Sequence, residues 1–316
     1  MSDAPLQPQQ RRALMAAWLG WAFDGLDGYL YIMVAVPFVT ELVAAERGVS
    51  VEAIKQSTDL AKSIGAEVGP KAALIQAVFL VGWALGGAFF GRLGDRLGRC
   101  RTLTLTILIY ALFTGLSVFA TRWWHLLIFR FIASLGIGGE WAAGSALVSE
   151  TLPARHRAWA SALLQSGYMV GCIAAALTSG WMSHVSPRWV FVVGILPALV
   201  TFWIRRAVPE PAEWTAAAKH RKPMPISSLF SPELRRTTLL TIGLTGIALT
   251  TVWTFLFFSP QVIREMADVK DWEPARVSQL VTNVTVAYLL VNIAGNFMAT
   301  YLGKLLGYRK AFTLLF

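Results

Sequence analysis

Four ionisable side chains stand where charge is expensive. Asp24, Asp27, Arg130 and Glu140 lie inside long apolar runs, and each costs about 2.5–3.5 kcal/mol at a bilayer centre on the insertion scale. Asp24 and Asp27 are three residues apart, so a helix carries both on one face, with Trp21 and Tyr31 extending it. Burial and a neighbouring carboxylate favour the protonated acid, whereas an arginine favours the carboxylate. An arginine that exchanges partners would therefore release or capture a proton with no cofactor. A static buried ion pair that only fixes helix register is the competing reading.

The elements that carry these residues follow from composition. Of 316 residues, 55% are hydrophobic and 15% charged, with mean hydropathy +0.55, whereas soluble domains run about 45–50% and about 25%. Eight apolar runs, 15–39, 71–90, 102–120, 124–148, 159–181, 189–204, 237–258 and 278–301, suit membrane-spanning helices, and a ninth begins at Ala311. They are too long and continuous for barrel strands, so the expected fold is all-α. The first run carries acids and lacks a small-residue cleavage site, which makes it a retained helix. Cys100 in a basic loop and Cys172 in mid-run sit at different depths and cannot bridge. A soluble enzyme and a disulfide-stapled module are thereby excluded.

Lysine and arginine set the orientation. Eighteen of the 28 fall in one alternating set of segments, 1–14, 91–101, 149–158, 205–236 and 302–310, and nine in the opposite set. This bias puts the amino terminus in the cytoplasm of a bacterial inner membrane or a plasma membrane. The net charge of +10 is then mostly a topology signal, and its scatter over short loops speaks against nucleic-acid binding. Counting about 1.5 Å per residue puts Asp27 and Arg130 at one outer level, and Asp24 and Glu140 at one inner level. Trp123, Trp124, Trp181 and Trp189 fall at span ends, where indoles favour the headgroup region.

Between the second and third spans runs a loop bearing Gly91, Gly94, Asp95, Arg96, Gly98, Arg99, Cys100 and Arg101. Its glycines allow a tight turn, and Asp95 can face a helix amino terminus or the adjacent arginines. The loop closely resembles the signature of the major facilitator superfamily. The resemblance continues through Arg130 and Gly136, through Glu150, Pro153 and Arg157, and through the 208–214 segment from Val208 to Trp214. It implies a cytoplasmic gate in which Asp95, Arg99, Glu150 and Arg157 form a charge cluster, with Cys100 where the family usually has a second basic residue. An internal repeat is visible too, since Gly303 and Gly307 follow Gly94 and Gly98 by 209 residues. The implied organisation is a cytoplasmic segment 1–14, a six-helix bundle 15–204, a cytoplasmic connection 205–236 and a partial second bundle 237–316. By the same spacing a complete second half would end near residue 413, about 100 residues further on.

The segment Gly138 to Trp141 resembles the metabolite and organic-acid proton symporter branches, of aromatic-acid and sialate type. That resemblance implies alternating-access symport of a small organic anion with protons, with Asp27 and Arg130 as the coupling pair and Asp24 and Glu140 beside them. A sugar or other metabolite facilitator of the same fold, or a non-transporting membrane sensor, is the alternative. Gln165, Tyr168, Tyr31, Trp253 and the stripe Tyr288, Asn292, Asn296 could line a substrate path. The stripe could equally bond helix to helix, and Trp253 could be packing. No Cys or His spacing suits zinc, and no phosphate-binding loop is present, so no metal, cofactor or ATP drive is expected.

Overall fold

A computed structural model describes residues 6–211, 214–215, 226–269 and 271–315. The start of the expected amino-terminal segment and most of 212–225, including His220, Pro223 and Pro225 of the expected connection, lie outside the described residues. The helices are α1 (Pro8–Glu46), α2 (Val51–Gln56), α3 (Thr58–Leu97), α4 (Arg99–Leu116), α5 (Trp123–Thr151), α6 (Ala154–Trp181), α7 (Pro197–Ala207), α8 (Arg235–Glu265), α9 (Pro274–Leu306) and α10 (Tyr308–Leu315). Seven of these, α4 taken together with the short turn 117–119, are long and apolar enough to cross a membrane. The expected span at 189–204 is instead a 3-10 segment, Pro187–Ile195, running into α7. No strand occurs among the described residues.

The stretch 40–70, which falls between the first two expected spans and so reads as a long outer loop, is instead largely helical. Helix α1 continues to Glu46, and α3 begins at Thr58, capped by the Ser57 side chain at Leu60 N. Its first turns are polar yet helical because Ile64, Val68, Ala72 and Ile75 recur on one buried face. At about 1.5 Å per residue the 40 residues of α3 run about 60 Å, twice the ~30 Å of hydrocarbon. The excess packs along the similarly long α1, and there Glu67 pairs with Arg47 and, at 2.9 Å, with Lys71.

Helix α1 occupies the centre and buries residues on every side, from Trp21 to Ala44. It packs chiefly on α6, while α5 packs on α3 and α4. These seams are set by glycine, because a Cβ on Gly138 would meet the Trp83 carbonyl, and one on Gly171 the Ala22 carbonyl. Apolar side chains alone gain little by leaving lipid for one another, so small residues that bring backbones together are what drive such seams. Helix α9 lies along α6, held by Thr282 Oγ1 donating to the Ala176 carbonyl and by Asn296 Nδ2 donating to the Ala162 carbonyl at 2.8 Å. Helix α8 exposes Leu239, Leu240, Ile242, Leu244 and Ile247, the kind of surface that lipid or another apolar surface covers.

Candidate transport site

Asp27 of α1 and Arg130 of α5 meet at zero exposure. Arg130 Nη1 lies 3.0 Å from both Asp27 carboxylate oxygens, and Nη2 donates to the Asp27 carbonyl at 3.1 Å. The Thr114 hydroxyl donates to Asp27 Oδ1 and accepts from Arg130 Nη1 at 3.3 Å. Phe79, Tyr31 and Phe191 rings lie 4.8, 5.7 and 5.7 Å from the guanidinium carbon. Such a charge, desolvated and ringed by aromatic rings, depends on its one carboxylate.

One turn toward the charged-loop end, Asp24 faces Glu140 of α5, and both are buried. The Glu140 carboxylate occupies the space that a Cβ at Gly20 would take. No amide, hydroxyl or cation among the described residues bonds either carboxylate, so the two acids have only each other, and the Tyr110 hydroxyl has no partner. Two buried acids with no cation or donor but each other, beside one satisfied ion pair, is the unusual feature of this core, since buried carboxylates are usually matched by donors. No group of three His, Cys, Asp or Glu able to hold a metal ion occurs among the described residues.

Beside the acids, five aromatic residues from five helices converge. Trp21 contacts Tyr168 at 4.9 Å and Trp141 at 5.4 Å, and Trp83 contacts Trp253 at 5.1 Å and Tyr168 at 6.2 Å. Trp253 is the contribution of α8. A pocket of about 10 Å3, lined by Trp21, Glu140, Trp141 and Gln165, opens beside this cluster, and holds about one water. A larger groove of about 450 Å3 runs past Gln165, Met169, Tyr288 and Asn292 to Asn296.

The expected path residues therefore divide. Gln165 borders both cavities, Asn292 the groove, and Tyr168 and Trp253 the aromatic cluster. Tyr31 does not belong with them, because its hydroxyl donates to the Ala72 carbonyl at 2.9 Å and its ring walls off Arg130. Trp83 and Trp141 are additions to the expected path residues, Trp141 having entered only as the end of the Gly138 to Trp141 segment, since a tryptophan in an apolar run carries no sign of which way it faces. Thr114 was missed for the same reason.

At the loop end, Arg99 bridges Asp95 at 2.8 Å and Glu150 at 2.6 Å. Arg157 is not part of this cluster: its Nε donates to the Leu152 carbonyl at 3.1 Å. Arg96 is exposed, and Gly91 is half-buried against Ala142 of α5. Of the two partners open to Asp95 it takes the adjacent arginine, Arg99, and the helix amino terminus is taken by Glu210, which accepts from the Arg99, Cys100 and Arg101 amides at 2.7, 3.1 and 3.1 Å. Gly98, at φ +111°, makes the turn that presents those amides. Trp214 Nε1 donates to the Asp95 carbonyl at 3.2 Å, which ties the 208–214 segment to the loop.

These features describe an integral, multi-pass membrane protein of the solute-transporter class. The chain belongs to the Major Facilitator Superfamily, whose sequence profile matches residues 17–316. It is 41% identical over 187 residues to a putative metabolite transport protein of Haemophilus influenzae, covering 57% of this chain and 45% of that one. Over 210 residues it is 36% identical to the sialic acid transporter NanX of Escherichia coli, covering 66% and 46%. Over 249 residues it is 34% identical to a probable 4-methylmuconolactone transporter of Cupriavidus pinatubonensis, covering 75% and 52%. The chain thus spans about half the length of these relatives, which are transporters and not enzymes. The xylose transporter XylE of E. coli, in a partially occluded inward-open form, shares the fold at TM-score 0.66 and 14% identity, over 94% of this chain and 73% of that one.

Proposed function

We propose that the protein imports a small organic anion together with protons by alternating access, with 15–204 as one six-helix bundle and 237–316 as part of a second. The observation that carries this reading is the buried Asp27 and Arg130 pair with the uncompensated Asp24 and Glu140 one turn away. An anion that reaches Arg130 competes with Asp27 for the guanidinium, and the displaced carboxylate then takes a proton. Substrate binding and protonation become one event. Asp24 and Glu140 supply the next acceptor, a carboxylate pair that can share a proton on its way to the loop end.

The aromatic cluster suits the substrate class. Trp21, Trp83, Trp141 and Tyr168 offer ring faces, and Trp253 closes on them from α8. A planar or conjugated acid can stack there with its carboxylate toward the charged residues. Among the relatives are carriers named for sialic acid, cis,cis-muconate, niacin and gentisate, all organic acids. At the loop end, Arg99 with Asp95, Glu150 and Glu210 would hold the cytoplasmic side closed in one state. The basic-residue count assigns that side to the cytoplasm. Uptake of labelled benzoate, nicotinate, sialate and xylose by cells expressing the protein tests the assignment. Accumulation of one or more of the acids and not xylose is expected, and accumulation of xylose alone would reverse it.

A further inference from the structure

At the end opposite the charged loop, a cation is in use as a strut. Arg264, in the last turn of α8, donates from Nη2 to the Met33 carbonyl of α1 at 3.3 Å. Among the described residues no carboxylate comes within ion-pair distance of it. The guanidinium borders a cavity of about 400 Å3 between the helices, lined also by Met33, Ser179, Ser183, His184 and Glu273. That volume lies within the range of small-molecule sites, about 300–1,000 Å3. Neither Asp27 nor Arg130 lines this cavity.

A neutral carbonyl is a weak partner for a half-buried guanidinium. Charge-assisted bonds to carboxylates are roughly twice as strong and can be bidentate. We propose that this cavity is a second site for a small organic carboxylate, in which the anion replaces the Met33 carbonyl on Arg264. Occupancy would then remove the contact that joins α1 to α8 at this end, so the seam opens when an anion arrives. Glu273 also borders the cavity, but it is exposed to solvent, so its charge is screened more than that of the half-buried Arg264 and opposes the anion less than Arg264 attracts it. The proposal rests on the reading above only for sidedness, since the positive-inside bias makes this the outer face.

The test reads the charge preference of the cavity directly. A cysteine is placed at Ser183, which is exposed, while the native Cys100 and Cys172 are buried. Membrane-impermeant sulfonatoethyl and trimethylammonioethyl methanethiosulfonates are added from outside, and their rate ratio is compared with that at a cysteine replacing exposed Ala61. The ratio at Ser183→Cys should favour the sulfonate by roughly fivefold over that at Ala61→Cys. Arg264→Gln should bring it to the surface value and Arg264→Lys should retain most of it. Should Arg264→Gln fail to insert, the comparison of the two cysteine positions in the otherwise unsubstituted chain decides alone. Equal ratios at the two positions, or a ratio unmoved by Arg264→Gln, would overturn the site. Absence of labelling at Ser183→Cys overturns it as well, and leaves the coupling role of Asp27 and Arg130 standing.

Discussion

Arg130 Nη1 sits 3.0 Å from both carboxylate oxygens of Asp27, a residue 103 positions earlier, with neither side chain exposed. Everything else in the centre of the molecule is arranged about that contact. Thr114 bonds both partners, three rings surround the guanidinium, and the two acids that have only each other lie one turn away.

Breaking the pair on one side leaves a buried charge alone. Asp27→Asn and Arg130→Gln should each lower stability by about 3–5 kcal/mol. The double variant should lose less than the sum, because neither charge is then stranded. Thermal unfolding of the three variants in detergent measures this, and strict additivity would mean that the two side chains do not depend on each other.

The glycine seam between α3 and α5 should tolerate nothing larger. Gly138→Val forces a side chain into the Trp83 carbonyl, so the variant should yield aggregated or degraded protein. Gly65→Ala near the start of α3 meets no atom within 4 Å and should be recovered at the parental level. Size-exclusion profiles of fluorescently tagged variants distinguish the two.

Glu210 caps a helix from more than 100 residues away. Glu210→Ala should cost about 0.5–2 kcal/mol through the lost amide bonds and helix-end charge. It should also free Cys100, whose thiol now faces the Pro209 carbonyl at 3.4 Å. Maleimide labelling at Cys100 should rise several-fold while Cys172, deep in α6, stays unreactive. Unchanged labelling would show that the segment stays docked without its carboxylate.

Trp253 is the ring through which α8 reaches the central cluster. Trp253→Ala should weaken competition by a planar aromatic acid about three- to tenfold, from the loss of roughly 0.7–1.4 kcal/mol of ring contact. It should leave a non-planar acid within about twofold. Inhibition curves for benzoate and cyclohexanecarboxylate against labelled substrate give the comparison, and equal losses would assign Trp253 to packing.

Much of this was legible from residue order. Apolar runs located the helices because a span has a minimum length, and the fixed rise per residue set Asp27 level with Arg130 before any contact was known. The helical stretch before Lys71 was not legible as such, since its polar composition hid a buried face that only Ile64, Val68 and Ala72 trace. The choice of Trp83 and Trp141 over other tryptophans was hidden because helix rotation is decided by backbone contacts at Gly86, Gly138 and Gly171. Arg157 and Tyr31 were misplaced for a related reason. Each has the right chemistry, and each spends it on a carbonyl that sequence does not locate, Leu152 for the one and Ala72 for the other.

The central claim is that movement of an organic anion is bound to movement of a proton through Asp27. The direct measurement is external pH on adding a transported acid to lightly buffered, de-energised cells expressing the protein or its Asp27→Asn variant. The account predicts a transient alkalinisation with the parent protein and none with the variant. Acid uptake without alkalinisation in the parent, or full alkalinisation in Asp27→Asn, would contradict it.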